Sequence, residues 1–210
     1  MSSSFDALLA IASGALGPGF AAEALPDLGG PARTAELARL LGARDGFLAF
    51  DDALAVFPVQ APGRRIDLVR LNNGDWTAGY WHRCEGLFFF AADALGDLFA
   101  LSNDKVVRFV TETGVVEPMA DDLAEWAARL QADPAGEAGW PFARAFADAN
   151  GALEEGWRLT GKRPFVLDGA FDLANLQQRP LFEILDYRAN LATRLHEAPP
   201  GAILHMPTLS

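Results

Sequence analysis

Cysteine occurs once in the 210 residues, as Cys84. A lone thiol excludes an internal disulfide and any zinc site built on several cysteines, and it suits a reducing compartment. Lysine occurs only as Lys105 and Lys162, and positive charge is scarce altogether: 17 basic side chains stand against 28 acidic ones, a net charge of −11. Such a chain starts from repulsion toward phosphate backbones and anionic membrane surfaces, which argues against direct nucleic-acid binding and against a membrane role. No uncharged apolar run reaches the ~18 residues of a membrane-spanning helix. The start, Met1 to Gly14, has a short apolar run with no Lys or Arg before it and Asp6 inside it, a poor secretory signal. The expected location is cytoplasmic. Serine is thin too, and no G-x-S-x-G occurs, which speaks against a serine hydrolase of that kind. Gly14-Ala-Leu-Gly17-Pro-Gly19 has neither a strand before it nor a Lys-Ser/Thr after it, so it is a poor phosphate loop.

What is present is an ordinary globular composition, 50% hydrophobic and 10% aromatic. The length fits a single domain over 1–210, large enough to bury about 70% of its unfolded surface without staples. The reading places an N-terminal extension over 1–30, with a helix at 5–16. A helix over 34–42 follows, with Thr34 as N-cap and Leu37, Leu40 and Leu41 on one face. Residues 47–50 read as a short strand. Ile66 to Leu71 alternates apolar and charged residues and reads as another, ending in the Asn72-Asn73-Gly74 turn. Leu87-Phe88-Phe89-Phe90 is continuously apolar, as a central strand should be. Strands at 98–101 and 106–110 follow after connections too short for a parallel crossover. The spacing therefore predicts an antiparallel meander over about 66–110. Helices at 121–131 and 141–150, then a strand–helix–strand part over 157–206 (strand 164–167, helix 180–197, edge strand 202–206), complete an α+β fold, its sheet flanked by N- and C-terminal helices.

The residues that could carry chemistry leave several readings open. His82, Cys84 and Glu85 lie close in sequence, yet a metal site needs three or four converging ligands, and Cys84 with a histidine is a conceivable nucleophile pair. Carboxylates pair at Asp51-Asp52, at Asp93 with Asp97, at Asp121-Asp122 and at Glu154-Glu155. Two facing carboxylates can serve acid–base hydrolysis. Asp121, Asp122 and Glu125 equally suit the first turn of a helix, and Asp93 and Asp97 suit turn chemistry around Gly96. Trp76, Tyr80 and Trp81 fit a core, a protein-interface anchor or a stacking platform. No motif assigns a catalytic, metal-binding or cofactor-binding residue. The candidate partner-binding set is Trp76, Tyr80, Trp81, Asp93, Asp97, Asp121, Asp122 and Glu125. Acidity is uneven: residues 121–156 hold eight acidic groups against two arginines, whereas 157–210 hold five acidic against six basic.

One pattern resembles a known family. Leu87-Phe-Phe-Phe-Ala-Ala-Asp93-Ala-Leu-Gly96-Asp97-Leu-Phe99-Ala-Leu, then Val107-Arg-Phe109-Val-Thr-Glu112-Thr-Gly114, then the helix around Trp126 are similar to the SUKH superfamily, the Smi/Knr-like group. The tail Gly161-Lys-Arg-Pro164-Phe-Val-Leu-Asp-Gly169-Ala-Phe171 with Asn175-Leu176, and Pro200-Gly201-Ala202, fit as well; Ala53 to Pro58 matches more loosely. Asp168-Gly169 departs from the usual Gly-Gly, and Asp97 stands where an amide is common. The resemblance covers about residues 34–206. It implies a strongly twisted antiparallel sheet and a non-enzymatic protein-binding role, either regulatory, as in the fungal cell-wall-synthesis regulator, or toxin-neutralising, as in bacterial immunity relatives. The implied partner is a protein, for the immunity role a basic toxin such as a nuclease, and opposite charge would speed that association. The family offers no catalytic residues to carry over. The alternative from another class is a small hydrolase or ligand-binding protein using paired carboxylates in a pocket. The oligomeric state stays open.

Overall fold

Six strands lie side by side in the order in which they occur in the chain: β1 (Phe47–Ala49), β2 (Leu54–Val56), β3 (Phe88–Ala92), β4 (Leu98–Leu101), β5 (Val106–Val110) and β6 (Val115–Ala120). Every neighbouring pair is antiparallel. This computed structural model describes residues 4–20, 25, 31–63, 65–102, 105–199 and 204. The helices are α1 (Ser4–Ala10), α2 (Pro31–Ala43), α3 (Leu68–Asn72), α4 (Leu123–Ala132), α5 (Pro134–Ala138), α6 (Trp140–Asn150) and α7 (Leu181–Glu197). A separate hairpin pairs β7 (Trp157–Gly161) with β8 (Leu176–Pro180). The expected α+β class and the meander are thus present, the meander extended by β1 and β2 on one side and β6 on the other.

The apolar β3 run is covered on both faces, as its composition requires. Phe90 and Phe99 pack edge-on against Trp126 of α4, at 5.0 and 5.7 Å between ring centroids. Phe89 and Phe109 turn to the opposite face and meet Trp76 and Tyr80. Trp76 and Tyr80 belong to a 3-10 segment, Asp75–Cys84, that packs against α7. A smaller apolar cluster of Phe146, Leu159 and Leu176 joins α6 to the hairpin. The hairpin docks on the β3–β4 turn through a bond from Leu159 N to Ala94 O.

Several expectations change on folding. The 66–71 segment is not a strand: Asp67 accepts from Arg70 N at 2.8 Å and caps α3 instead. Its alternation reflects one helical turn with Leu68 and Leu71 buried and Val69 exposed. Asn72 then holds the edge of β3, donating to Phe89 O and accepting from Phe89 N, both at 2.8 Å. The 5–16 helix stops at Ala10, where the chain turns back to bond with Leu48 and Gly46. Helix α2 begins at Pro31, ahead of Thr34, so Thr34 is not its cap. Residues 164–167 form a 3-10 turn at Phe165–Leu167 rather than a strand; the strands of this region are β7 and β8. The 202–206 strand lies outside the described residues. Among the described residues, no helix is long and apolar enough to cross a membrane.

Candidate functional site

The β3–β4 turn is built by its own carboxylates. Asp93 Oδ1 accepts from Leu95 N and Asp97 N, both at 2.9 Å, and Gly96 supplies the positive φ of 84° that the turn needs. Asp97 Oδ1 accepts from Thr111 N at 2.9 Å and Thr111 Oγ1 at 3.0 Å. Into this cluster α7 extends Arg188. Its guanidinium donates to Thr111 Oγ1 at 2.7 Å and to Thr160 Oγ1 at 3.3 Å, and it lies 3.6 Å from Asp97 and 3.5 Å from Glu112. Glu112 in turn accepts from Phe165 N and Val166 N. One buried arginine therefore ties together the sheet, the hairpin, the 165–167 turn and α7. Burial, and then the Asp97 charge, push the Asp93 carboxyl up to about 7. A perturbed carboxylate marks a candidate acid or base, but this one is 6% exposed and occupied by turn amides. Asp93 and Asp97 thus brace the fold; Asp93 is withdrawn from solvent, while the Asp97 side chain keeps 22% of its surface exposed.

The acidic trio at α4 also has a structural task. Asp122 caps the helix, accepting from Glu125 N at 2.7 Å, and Glu125 reaches back to Asp121 N at 2.7 Å. Asp121 lies 3.4 Å from Lys105. All three remain accessible to solvent, Asp122 the least. The aromatic trio divides. Trp76 and Tyr80 are buried, with Trp76 Nε1 bonded to Leu71 O and Tyr80 Oη to Thr111 O, so neither forms a surface anchor. Trp81 is exposed, at φ 54° and ψ −128°, a corner that favours glycine and costs a tryptophan about 1–3 kcal/mol. It packs against His196 at 4.4 Å between rings.

The carboxylate and thiol readings find no shared pocket. Trp81 and Cys84 line an open groove with Asn72, Thr77 and Glu85, but burial pushes the Cys84 thiol up to about 12, far from a thiolate. His82 is turned to solvent and paired with Glu85 at 2.5 Å. A second, smaller pocket lies among Leu48, Ala55, Phe57, Pro58 and Ile66. Of the paired carboxylates, Glu155 lines this second pocket, ion-paired with Arg65 at 2.9 Å, while Asp93, Asp97, Asp121 and Asp122 line neither. Among the described residues no three His, Cys, Asp or Glu side chains are placed to hold a metal. The Gly14–Gly19 loop faces a carboxylate, since Gly19 N donates to Asp45 Oδ2.

The exposed apolar surface lies elsewhere. Phe171 is 60% exposed, with Val166 and Leu173 exposed beside it in the chain. The loop that bears them is fixed by its own bonds: Asn175 Nδ2 donates to Arg163 O and Ala170 O, Asn175 Oδ1 accepts from Arg163 N, and Lys162 Nζ donates to Ala174 O. The Phe171 ring stacks on Phe165, 4.1 Å away and 8° from parallel. Glu112, which holds this loop, sits in the β5–β6 turn that leads to exposed Val115 and Val116. Two sets of exposed apolar side chains thus flank one carboxylate. Of these residues, Lys162, Arg163, Phe165, Val166, Ala170, Phe171 and Asn175 belong to the tail motif and Glu112 to the Val107–Gly114 pattern, whereas Leu173, Val115 and Val116 stand in neither. Arg188 had a legible signal: it lies four residues after Ile184 and seven after Leu181, on the apolar face of its helix.

No family model matches the chain, and no curated protein matches it. Among solved structures it is similar to Atu4351 from Agrobacterium tumefaciens, at 8% identity and a TM-score of 0.49, over 73% of this chain and 74% of that one.

Proposed function

We propose that this protein is a non-enzymatic protein-binding module of the cytoplasm, toxin-neutralising or regulatory in the manner of the group its sequence resembles. The observation that carries the reading is the 162–175 loop, an exposed aromatic ridge held in place by its own hydrogen bonds. Exposed aromatics that are already rigid bind at low entropic cost and are the usual energetic anchors of interfaces. Val166 and Leu173 add exposed apolar surface to the same loop. A net charge of −11 favours a basic partner, a toxin such as a nuclease in the immunity version, by speeding encounter. Asp93 and Asp97 are spent on the β3–β4 turn and its neighbour Thr111, and Asp122 on the cap of α4.

The test is affinity capture from the native cells with the tagged protein and with its Phe171→Ser/Leu173→Ser variant, circular dichroism first verifying that both fold. One basic protein retained near stoichiometry by the wild type, weakened by salt and lost with the variant, is the expected result. Capture of the same proteins by both forms would remove the loop from the interface and the reading with it.

A further inference from the structure

The two edges of the main sheet are finished differently. Along β1 the chain folds back and covers the edge: Ser13 N donates to Leu48 O at 2.8 Å, Leu48 N to Ser13 Oγ at 2.9 Å, and Leu16 N to Gly46 O at 3.0 Å. Strand β6 stands at the other end of the strand order, paired with β5 alone. Its first four residues, Val115 to Pro118, are exposed. Among the described residues no other segment bonds to their backbone on the outer side. Most sheets avoid an open edge with adjacent exposed valines, because its unmade bonds template another strand.

The register fixes which groups that edge offers. Gly114 N donates to Val110 O at 2.8 Å, so Val110, and by the alternation of a strand Arg108, turn their bonding groups toward β6. Arg108 stands opposite Glu117, and Val107 opposite Pro118. Glu117 therefore bonds inward, while Val116 and Pro118 turn outward, as a proline within a strand must. Val116 presents both its N–H and its C=O, and Pro118 only a carbonyl, which keeps any added ladder short. The two faces beside the edge differ in character. Arg108 lies over Phe99, which packs on Trp126 of α4, so Glu117 shares the α4 face. Arg108 is drawn to Glu137 at 3.0 Å, and exposed Glu117 has no salt bridge among the described residues. Val116 stands opposite Phe109, on the apolar face of Trp76 and Tyr80.

We propose that β6 accepts an extended segment of a protein partner as an added strand, one in which basic residues alternate with apolar ones. A strand is the structure that answers a row of backbone donors and acceptors, with affinity from the main chain and selectivity from alternate side chains. An apolar residue of the segment bonds to Val116 and packs beside it. The basic residues on either side then stand on the α4 face, next to Glu117, with Asp121 and Glu125 further along. Opposite charges and β-branched pairs across strands both stabilise such a ladder. A second copy of β6 does not match this edge, since Val115 to Pro118 brings a carboxylate and no cation. The inference rests on the reading of the protein as a binding module but not on the 162–175 loop.

The probe is a capped Lys-Val-Lys-Val-Lys-Val peptide, titrated against the full chain and followed by amide resonances and hydrogen exchange. Binding should slow exchange of the Val116 amide by about tenfold or more and leave that of Glu117, already bonded to β5, unchanged. A Glu-Val-Glu-Val-Glu-Val peptide, and the lysine peptide with N-methylated valines, should each bind about tenfold or more weaker. Val116→Pro removes the outward N–H without touching a bond to β5, and should weaken the lysine peptide to the same degree. Should that variant not fold, Glu117→Lys should reverse the preference between the two charged peptides. Equal binding of the N-methylated peptide would mean attraction to surface charge with no strand formed. Equal binding of the glutamate peptide, no response at Val116, or protection of Val116 that rises with protein concentration alone would equally overturn the proposal. Capture of the native partner by Val116→Pro as fully as by the wild type would also overturn it, and would leave the binding-module reading in place.

Discussion

Arg188 Nη2 lies 3.5 Å from Glu112 Oε1, and both side chains are nearly withdrawn from solvent, at 2% and 8% exposure. An ion pair so placed costs much of what it gains, but removing one partner leaves the other charged and unanswered. Arg188→Met should therefore destabilise the protein by about 3–5 kcal/mol, read from urea unfolding. Adding Glu112→Gln to that variant should restore part of the loss, since the stranded carboxylate is gone. Additive losses in the two variants would show that these side chains do not act as a pair.

Phe89 tests the two-sided covering of the sheet. It is 1% exposed and meets Trp76 at 5.2 Å and Phe109 at 5.5 Å. Phe89→Ala should cost about 3–5 kcal/mol, the usual loss for deleting a buried aromatic. Its neighbour Phe88 is only half-buried, and Phe88→Ala should cost clearly less. Melting temperatures that fall equally in the two variants would contradict the placement of Phe89 in the core.

Asp93 makes stability depend on pH in a stated direction. Folded, it holds its proton up to about pH 7, whereas its ordinary value is 3.8. Folding thus takes up a proton between these values, and the contribution of this group to stability is full below about pH 4 and lost as pH rises to about 7. Asparagine retains the oxygen that accepts from Leu95 and Asp97 but has no proton to lose. Asp93→Asn should gain on the wild type as pH rises from 4 to 8, measured as the difference in urea midpoints. A difference that stays constant across that range would mean that this carboxyl titrates normally.

The parts of the fold written in local chemistry were readable from the sequence. The β3 run from Phe88 on and the periodic face of α4 around Trp126 sit where their patterns put them. The 66–71 segment misled because alternation over six residues also fits one helical turn, and Asp67 at its start was decisive. Strand β6 is not legible in the sequence because four of its six residues, Val115 to Pro118, are exposed, so it carries no alternating pattern. The candidate site was less legible for a different reason. Asp93, Asp97, Glu112, Thr111, Thr160 and Arg188 come from distant parts of the chain, and nothing local says that a carboxylate will meet a buried arginine. Exposure of Phe171 is likewise a tertiary fact: the residues that fix its loop, Asn175 and Glu112, lie on either side of it in sequence and far apart.

The acidic trio at α4 combines two roles that single substitutions can separate. Asp122 caps the helix through its bond with Glu125 N, at 2.7 Å, and Asp122→Ala should cost about 1 kcal/mol of stability. Asp121 stands outside the helix, its side chain 81% exposed beside Lys105, so Asp121→Lys should leave the urea midpoint nearly unchanged. If the basic partner touches this face as well as the aromatic ridge, Asp121→Lys should slow association and flatten its dependence on salt. Glu125→Gln should do both to a smaller degree, because an amide oxygen can still accept from Asp121 N while the charge is lost. Association rates and salt slopes equal to wild type in both variants would confine these carboxylates to helix capping and leave the aromatic ridge as the contact surface.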